Sequence, residues 1–197
     1  MDGPNPMYVT RTLEGFVKSA ARQFPVLLVT GARQVGKTTF LQHLSAAERT
    51  YVTLDDPLVL SLAKEDPALF FQRFMPPLLI DEIQYAPELP PHIKMEVDRT
   101  RRPDLFWLTG SQHFHLMKGV SESLAGRVGI VRLLGLSRRE MKGKGGESGP
   151  FLPTPERTLN RSERGGSLTL RELYRLIWRG AFPAIAPAEE VMARDIC

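Results

Sequence analysis

Apolar residues recur along this chain in short blocks whose spacing changes from one block to the next. Between Thr10 and Gln23 they fall at Leu13, Phe16, Val17, Ala20 and Ala21, the spacing of a helix with one face to bury. Pro25 breaks that pattern, and Val26-Leu27-Leu28-Val29-Thr30 follows as an unbroken apolar run. Such a run suits a strand covered on both faces of a parallel sheet. A glycine-bearing turn comes next, then a helix over Thr38–Ser45. The alternation continues with a strand over Thr50–Leu54, a helix over Pro57–Glu65 and a buried strand over Leu78–Ile80. A helix over Glu88–Arg102 is opened by Pro90-Pro91 and closed before Pro103. Leu105–Thr109 reads as a strand, Phe114–Ala125 as a helix and Val128–Leu134 as the last strand. Strands alternating with helices predict an α/β fold, a three-layer sandwich around a mostly parallel sheet.

The pattern then changes. Residues 143–167 are rich in Gly, Pro, Ser and charge and read as a flexible loop or linker. Ser167–Arg179 reads as a helix, with Leu170, Leu173, Leu176 and Ile177 on one side. The expected organisation is an α/β domain over 1–142, a flexible linker or loop over 143–167 and a helical extension over 168–197. That extension reads as the start of a truncated C-terminal region.

Composition narrows the class. Of the 197 residues, 42% are hydrophobic and 24% charged, which fits a globular chain rather than a disordered one. No apolar run approaches the roughly 18 residues of a membrane helix, and the first residues do not read as a signal peptide. One cysteine, Cys197, excludes an internal disulfide and a multi-cysteine metal site. A cytoplasmic, membrane-free protein is expected. The net charge of +4 is uneven: residues 99–164 carry 13 Lys/Arg against 6 Asp/Glu. That segment is a candidate contact for nucleic acid or an acidic protein, although its basic residues lack interleaved aromatics.

Gly31-Ala32-Arg33-Gln34-Val35-Gly36-Lys37-Thr38 matches G-x-x-x-x-G-K-[ST] in full, after a predicted strand and before a predicted helix. The glycines let the backbone turn so that successive N–H groups point at phosphate oxygens. The following helix adds unpaired N–H donors and a partial positive charge. Lys37 brings a full charge to the β- and γ-phosphates, the Thr38 hydroxyl can ligate Mg²⁺, and Thr39 is a weaker phosphate or base-side candidate.

Leu78-Leu79-Ile80-Asp81-Glu82 is an apolar strand ending in two carboxylates, at the edge where open α/β sheets bind ligands. Asp81 suits Mg²⁺ held through its water shell, and Glu82 suits the orientation of an attacking water. Phe106-Trp107-Leu108-Thr109-Gly110-Ser111-Gln112 is a third strand with a polar end. Ser111 is the first candidate to reach between the acidic pair and the γ-phosphate, with Thr109 and Gln112 behind it; an N-cap role for Ser111 is equally open. Arg127, before the last strand, can stabilise transition-state charge in cis or across a subunit contact. His113 and His115 have no apparent third ligand and read as ordinary polar residues.

GARQVGKTT, LLIDEIQYAPEL, LTGSQHFHLM and SESLAGRV, in this order, resemble the prokaryotic AAA-type P-loop ATP-binding proteins, over roughly residues 8–135. Gly180-Ala181-Phe182-Pro183 resembles a later motif of that family. The resemblance implies an AAA-type core with Lys37 and Thr38 in Walker A, Asp81 and Glu82 in Walker B, Ser111 in the sensor region and a role for Arg127. It also implies that typical members continue into a further C-terminal domain.

The leading expectation is a Mg²⁺-dependent ATPase with ATP on residues 31–38, able to form homo-oligomers and coupled to an unknown partner. A non-hydrolysing nucleotide switch or interaction module is the alternative, and a P-loop small-molecule kinase the third choice. The adjacent Asp81-Glu82 pair speaks against the kinase.

Overall fold

The computed structural model describes residues 8–45, 49–111, 119, 120, 122–147, 154–164 and 168–185. Five strands, β1 (Val26–Gly31), β2 (Thr50–Thr53), β3 (Leu78–Asp81), β4 (Phe106–Ser111) and β5 (Val128–Arg132), form one sheet in the order β2-β3-β4-β1-β5. Every pairing is parallel. The central strands explain their composition: β3 and β4 are buried at every residue, and β1 at all but Thr30. The edge strand β5 alternates instead, with Gly129 and Val131 buried and Ile130 and Arg132 exposed. The order matters for function, because β4 lies between β1 and β3 and its end separates theirs.

Helices α1 (Glu14–Ala21), α2 (Lys37–Ser45), α3 (Pro57–Glu65), α4 (Pro67–Arg73) and α5 (Leu89–Thr100) accompany the sheet. Two of them start on the same device. Asp56 accepts hydrogen bonds from the amides of Leu58 (2.8 Å) and Val59 (3.4 Å), and Asp66 accepts one from Leu69 (2.9 Å). Each aspartate is followed by a proline at the first helical position, where its missing N–H costs nothing. Phe70 of α4 is fully buried and joins Ile93 and Val97 of α5 and Val26, Leu28, Ile80 and Phe106 of the sheet in the core.

The chain divides into two compact units, residues 13–134 and residues 1–12 with 135–197. The first holds the sheet. In the second, Glu140 of α6 (Arg138–Met141) is the organising group. Its carboxylate accepts from the amides of Thr12 (2.7 Å) and Ser137 (2.7 Å) and pairs with the Arg11 guanidinium at 3.3 Å. Two further helices, α7 (Pro155–Arg164) and α8 (Leu170–Arg179), belong to this unit. Thr169 and Glu172 form a capping box at the start of α8. The apolar side chains of α8, from Leu170 to Trp178, are largely exposed.

Several sequence expectations are corrected here. Helix α4 was not expected, although Asp66-Pro67 repeats the Asp56-Pro57 signal ten residues on. The expected linker over 143–167 contains α7, started by Pro155 with Glu156 in its first turn. Its polar composition conceals a helix because that helix exposes even Leu159. Arg11 and Thr12, ahead of the first helix, go with the later unit because they bind Glu140. The first helix begins at Glu14 rather than Thr10. The expected helix over 114–125 lies partly outside the described residues; residues 119, 120, 122 and 123 are helical.

Burial alone would raise the Glu140 carboxyl, but the two amides and Arg11 outweigh it and hold the group below its ordinary value. A lowered carboxyl stabilises the fold above the ordinary carboxylate range, and the contribution is lost as pH falls through the lowered value. Glu140→Ala is therefore expected to cost about 3 kcal/mol at neutral pH, by the loss of one partner of a buried pair. In denaturant titrations the difference from wild type shrinks below about pH 4.

Candidate functional site

The phosphate motif is the turn from β1 into α2. Gly31 closes β1 opposite Ser111, and the Leu133 amide donates to the Thr30 carbonyl at 2.8 Å. A Cβ on residue 31 would strike the Leu133 carbonyl, so glycine is required there by the approach of a neighbouring chain segment. Past Gly31 the backbone enters left-handed conformation at Gln34 (φ 63°) and again at Gly36 (φ 86°). Alternation of this kind turns successive N–H groups to one side, the geometry of an anion cradle. Val35 is buried and anchors the loop from below, whereas Ala32, Arg33 and Gln34 are exposed. Lys37 opens α2; its Nζ donates to the carbonyls of Gly31 (3.3 Å) and Ala32 (3.0 Å), so the buried ammonium group lies within the loop. Thr38 is half-buried and Thr39 exposed.

The acidic strand end meets this loop. Thr38 Oγ1 donates to Asp81 Oδ1 at 2.8 Å. Thr109 Oγ1 hydrogen-bonds the same Asp81 oxygen and accepts from the Glu82 amide at 3.0 Å. From β2, the Tyr51 hydroxyl reaches Asp81 Oδ2 at 3.3 Å. Burial, aided by the Asp81 charge, pushes the Tyr51 phenol up to about 12, so it stays protonated and donates. Glu82 follows in left-handed conformation (φ 59°, ψ 46°) and begins a 3-10 turn over Ile83–Tyr85. Its carboxylate accepts from the side-chain amide of Gln84. A cavity of about 380 Å³ lies at the loop, lined by Gly36, Lys37, Thr38, Asp55, Glu82 and Tyr85 among others.

Thus Lys37, Thr38, Asp81 and Glu82 come together, with Arg33, Gln34 and Thr39 at the cavity rim. A hydroxyl and a carboxylate in contact are a hard-oxygen donor set that fits Mg²⁺. Two expected residues make other contacts. Thr109 supplies the hydroxyl that bonds the acidic pair; Ser111, beside Gly31 at the root of the loop, is buried with its Oγ unpartnered among the described residues. Arg127 sits before β5, where its carbonyl accepts from the amide of Val26, at the start of β1. The loop begins at the other end of β1, about 16 Å along at 3.3 Å per residue. Arg127 is thus not brought together with its own phosphate loop. Its guanidinium forms a two-point ion pair with Asp98 (2.6 and 2.9 Å), which holds that carboxyl below its ordinary value. The larger cavity, about 690 Å³, is at this end, with Arg22, Arg101 and Arg102 around it. Size does not make it the nucleotide site, since the loop and the carboxylates are elsewhere. Gln112, His113 and His115 lie outside the described residues, and among the described residues no group of three or more His, Cys, Asp or Glu is placed to hold a metal.

Sequence reasoning missed Tyr51 and Gln84 and ranked Thr109 second. The parallel register decides the last point: Ile80 pairs with Leu108, which sets Asp81 beside Thr109. Pairing register is not readable from one strand alone. For Gln84 the signal was its place two residues after Glu82.

A phosphate cradle at the carboxyl end of a parallel sheet, with a hydroxyl and an acidic strand end beside it, defines a P-loop nucleoside triphosphatase fold. The family model described as an AAA domain matches residues 23–142, and this chain belongs to that family. It is a P-loop protein of the AAA type, a family of ATP-binding proteins. Two uncharacterized proteins, from Mycobacterium bovis and Mycobacterium tuberculosis, are each 39% identical over 127 residues, 64% of this chain. The match covers 28% of the length of those relatives. Among solved structures, a Walker-type ATPase of Pyrococcus abyssi resembles this chain in fold, with a TM-score of 0.51 and 14% identity. That likeness covers 86% of this chain and 63% of the other. No helix among the described residues is long and apolar enough to cross a membrane.

Thr109→Val keeps the volume and removes both hydrogen bonds at the strand end, leaving the Glu82 amide unpaired. It is expected to lower stability by about 1–3 kcal/mol, read from denaturant midpoints at unchanged slope.

Proposed function

We propose that the chain binds ATP with Mg²⁺ and hydrolyses it, the energy being passed to a partner not yet identified. The observation that carries the reading is the contact of Thr38 with Asp81 at the mouth of the phosphate loop, with Glu82 on the same cavity.

The N–H groups of residues 31–38 would receive the β- and γ-phosphates. Lys37 would exchange the carbonyls of Gly31 and Ala32 for phosphate oxygens, and its buried position favours a strong charge-assisted contact. Thr38 and Asp81 would hold Mg²⁺, which draws charge from the β- and γ-phosphate oxygens when bound. Glu82 would orient a water on the γ-phosphorus and accept its proton as the bond from phosphorus to the bridging oxygen breaks, leaving ADP and phosphate. Thr109 would fix Asp81 and the Glu82 backbone in one frame. Positioning and electrostatics would supply most of the rate. A non-hydrolysing switch would keep the same binding without turnover.

Arg127 is 16 Å or so of strand away from its own loop, so its proposed role is on the nucleotide of a second copy. The site would then be complete only in a homo-oligomer. The basic residues of 99–164 fall in both compact units, and a nucleic-acid or acidic-protein contact through them has no single observation in its favour.

Lys37→Ala is expected to weaken Mg·ATP binding by about 100-fold, the loss of roughly 3 kcal/mol of contact with a charged group. Glu82→Gln keeps affinity within about threefold and lowers turnover by about 10²–10⁴-fold. Calorimetry and a steady-state phosphate-release assay separate the two. Wild-type turnover in Glu82→Gln would reject the role given to Glu82, whereas ATP binding without phosphate release by the wild-type chain would leave the switch reading. For Arg127, mixing the Arg127→Ala and Lys37→Ala variants, each inactive alone, is expected to restore part of the rate; no recovery would reject action across subunits.

A further inference from the structure

Glu82 is held by more than its place in the chain. Its amide donates to Thr109 at 3.0 Å, its carbonyl accepts from the Tyr85 amide at 3.0 Å, and its backbone is left-handed without being glycine. These contacts fix the main chain only. Among the described residues the carboxylate has one side-chain partner, the Gln84 amide, which donates to Oε2. Among the described residues Oε1 accepts no hydrogen bond and is the oxygen available to a water.

Gln84 is placed in a way that packing alone does not explain. It is 4% exposed, in a 3-10 turn between the fully buried Ile83 and the half-buried Tyr85. That turn packs against β4, the strand that carries Thr109. The Oε1 of Gln84 is sealed from solvent and accepts no hydrogen bond among the described residues. An apolar side chain of like volume would leave no such orphan. What the amide does accomplish is to hold a carboxylate that lines the phosphate cavity with Lys37 and Thr38.

The geometry points to Gln84 as a positioning residue for hydrolysis: its side-chain amide clamps one oxygen of Glu82 so that the other is aimed at the attacking water. This rests on the hydrolytic role proposed for Glu82. Gln84 is buried behind Glu82 and is not among the residues that line the phosphate cavity. Its effect passes through Glu82, so its removal alters turnover and not affinity.

The test uses the full chain with Gln84→Leu, which removes the amide and the buried orphan together. The expected result is a kcat about 10-fold lower, ATP affinity within about twofold of wild type and a thermal midpoint unchanged or higher. A merely structural role would lower the midpoint and act whatever residue stood at 82. The double variant Gln84→Leu/Glu82→Gln is therefore measured under single-turnover conditions, and its rate should match Glu82→Gln alone, because residues that act as one unit are not additive. Independent of turnover, the Gln84 side-chain amide signals in ¹⁵N spectra, assigned by their loss in Gln84→Leu, should move in Glu82→Ala. An unchanged or raised kcat in Gln84→Leu, a further multiplicative loss in the double variant, or amide signals indifferent to Glu82→Ala would each overturn the assignment. If instead Glu82→Gln turns over like wild type, the hydrolytic reading of Glu82 fails, a result distinct from all three.

Discussion

One carboxylate ties the site to the fold. Asp81 accepts from the first turn of α2 through Thr38, from β4 through Thr109 and from β2 through Tyr51. Three separate pieces of chain thereby fix a single buried charge. Each contact requires the strands to run parallel and in their present register. A shift of one residue between β3 and β4 would take Thr109 off Asp81 and turn every side chain of the moved strand to the other face. Because both faces of β3 and β4 are covered, such a slip would disrupt two cores at once. The sheet thus guards the geometry of its own polar edge.

The fold was largely legible in the order of apolar blocks, because buried parallel strands such as β1 and β3 leave uninterrupted apolar runs. The phosphate loop was legible in full, since its residues are contiguous and their spacing is fixed by the turn they make. Asp81 and Glu82 could be read from their place at a strand end. Legibility failed where chemistry depends on neighbours distant in sequence. The partner of Asp81 on β4 follows from strand pairing, and the separation of Arg127 from the loop follows from its lying at the amino end of a strand beside β1. Polar helices failed for another reason: α7 buries too little to leave an apolar rhythm, so Pro155 and Glu156 were read as linker composition.

The two ends of the sheet do different chemistry. At the carboxyl ends of β1, β3 and β4, hydroxyls and carboxylates share hydrogen bonds in a partly closed cavity. At the opposite end, Arg127 and Asp98 form an ion pair near the surface, bordered by Arg22, Arg101 and Arg102. Pairs of that kind contribute little to stability. This one fixes the orientation of the Arg127 guanidinium, whose Nε and Nη2 rest on Asp98 and whose Nη1 rests on the Ala125 carbonyl.

The crowding at Gly31 has a mechanical side. With the Leu133 backbone pressed against it and hydrogen-bonded to Thr30, the root of the phosphate loop is riveted to the segment that leaves β5. Buried Val35 pins the far half of the turn as well, so the left-handed Gln34 and Gly36 are held between two fixed points and the cradle keeps its shape without a phosphate in it.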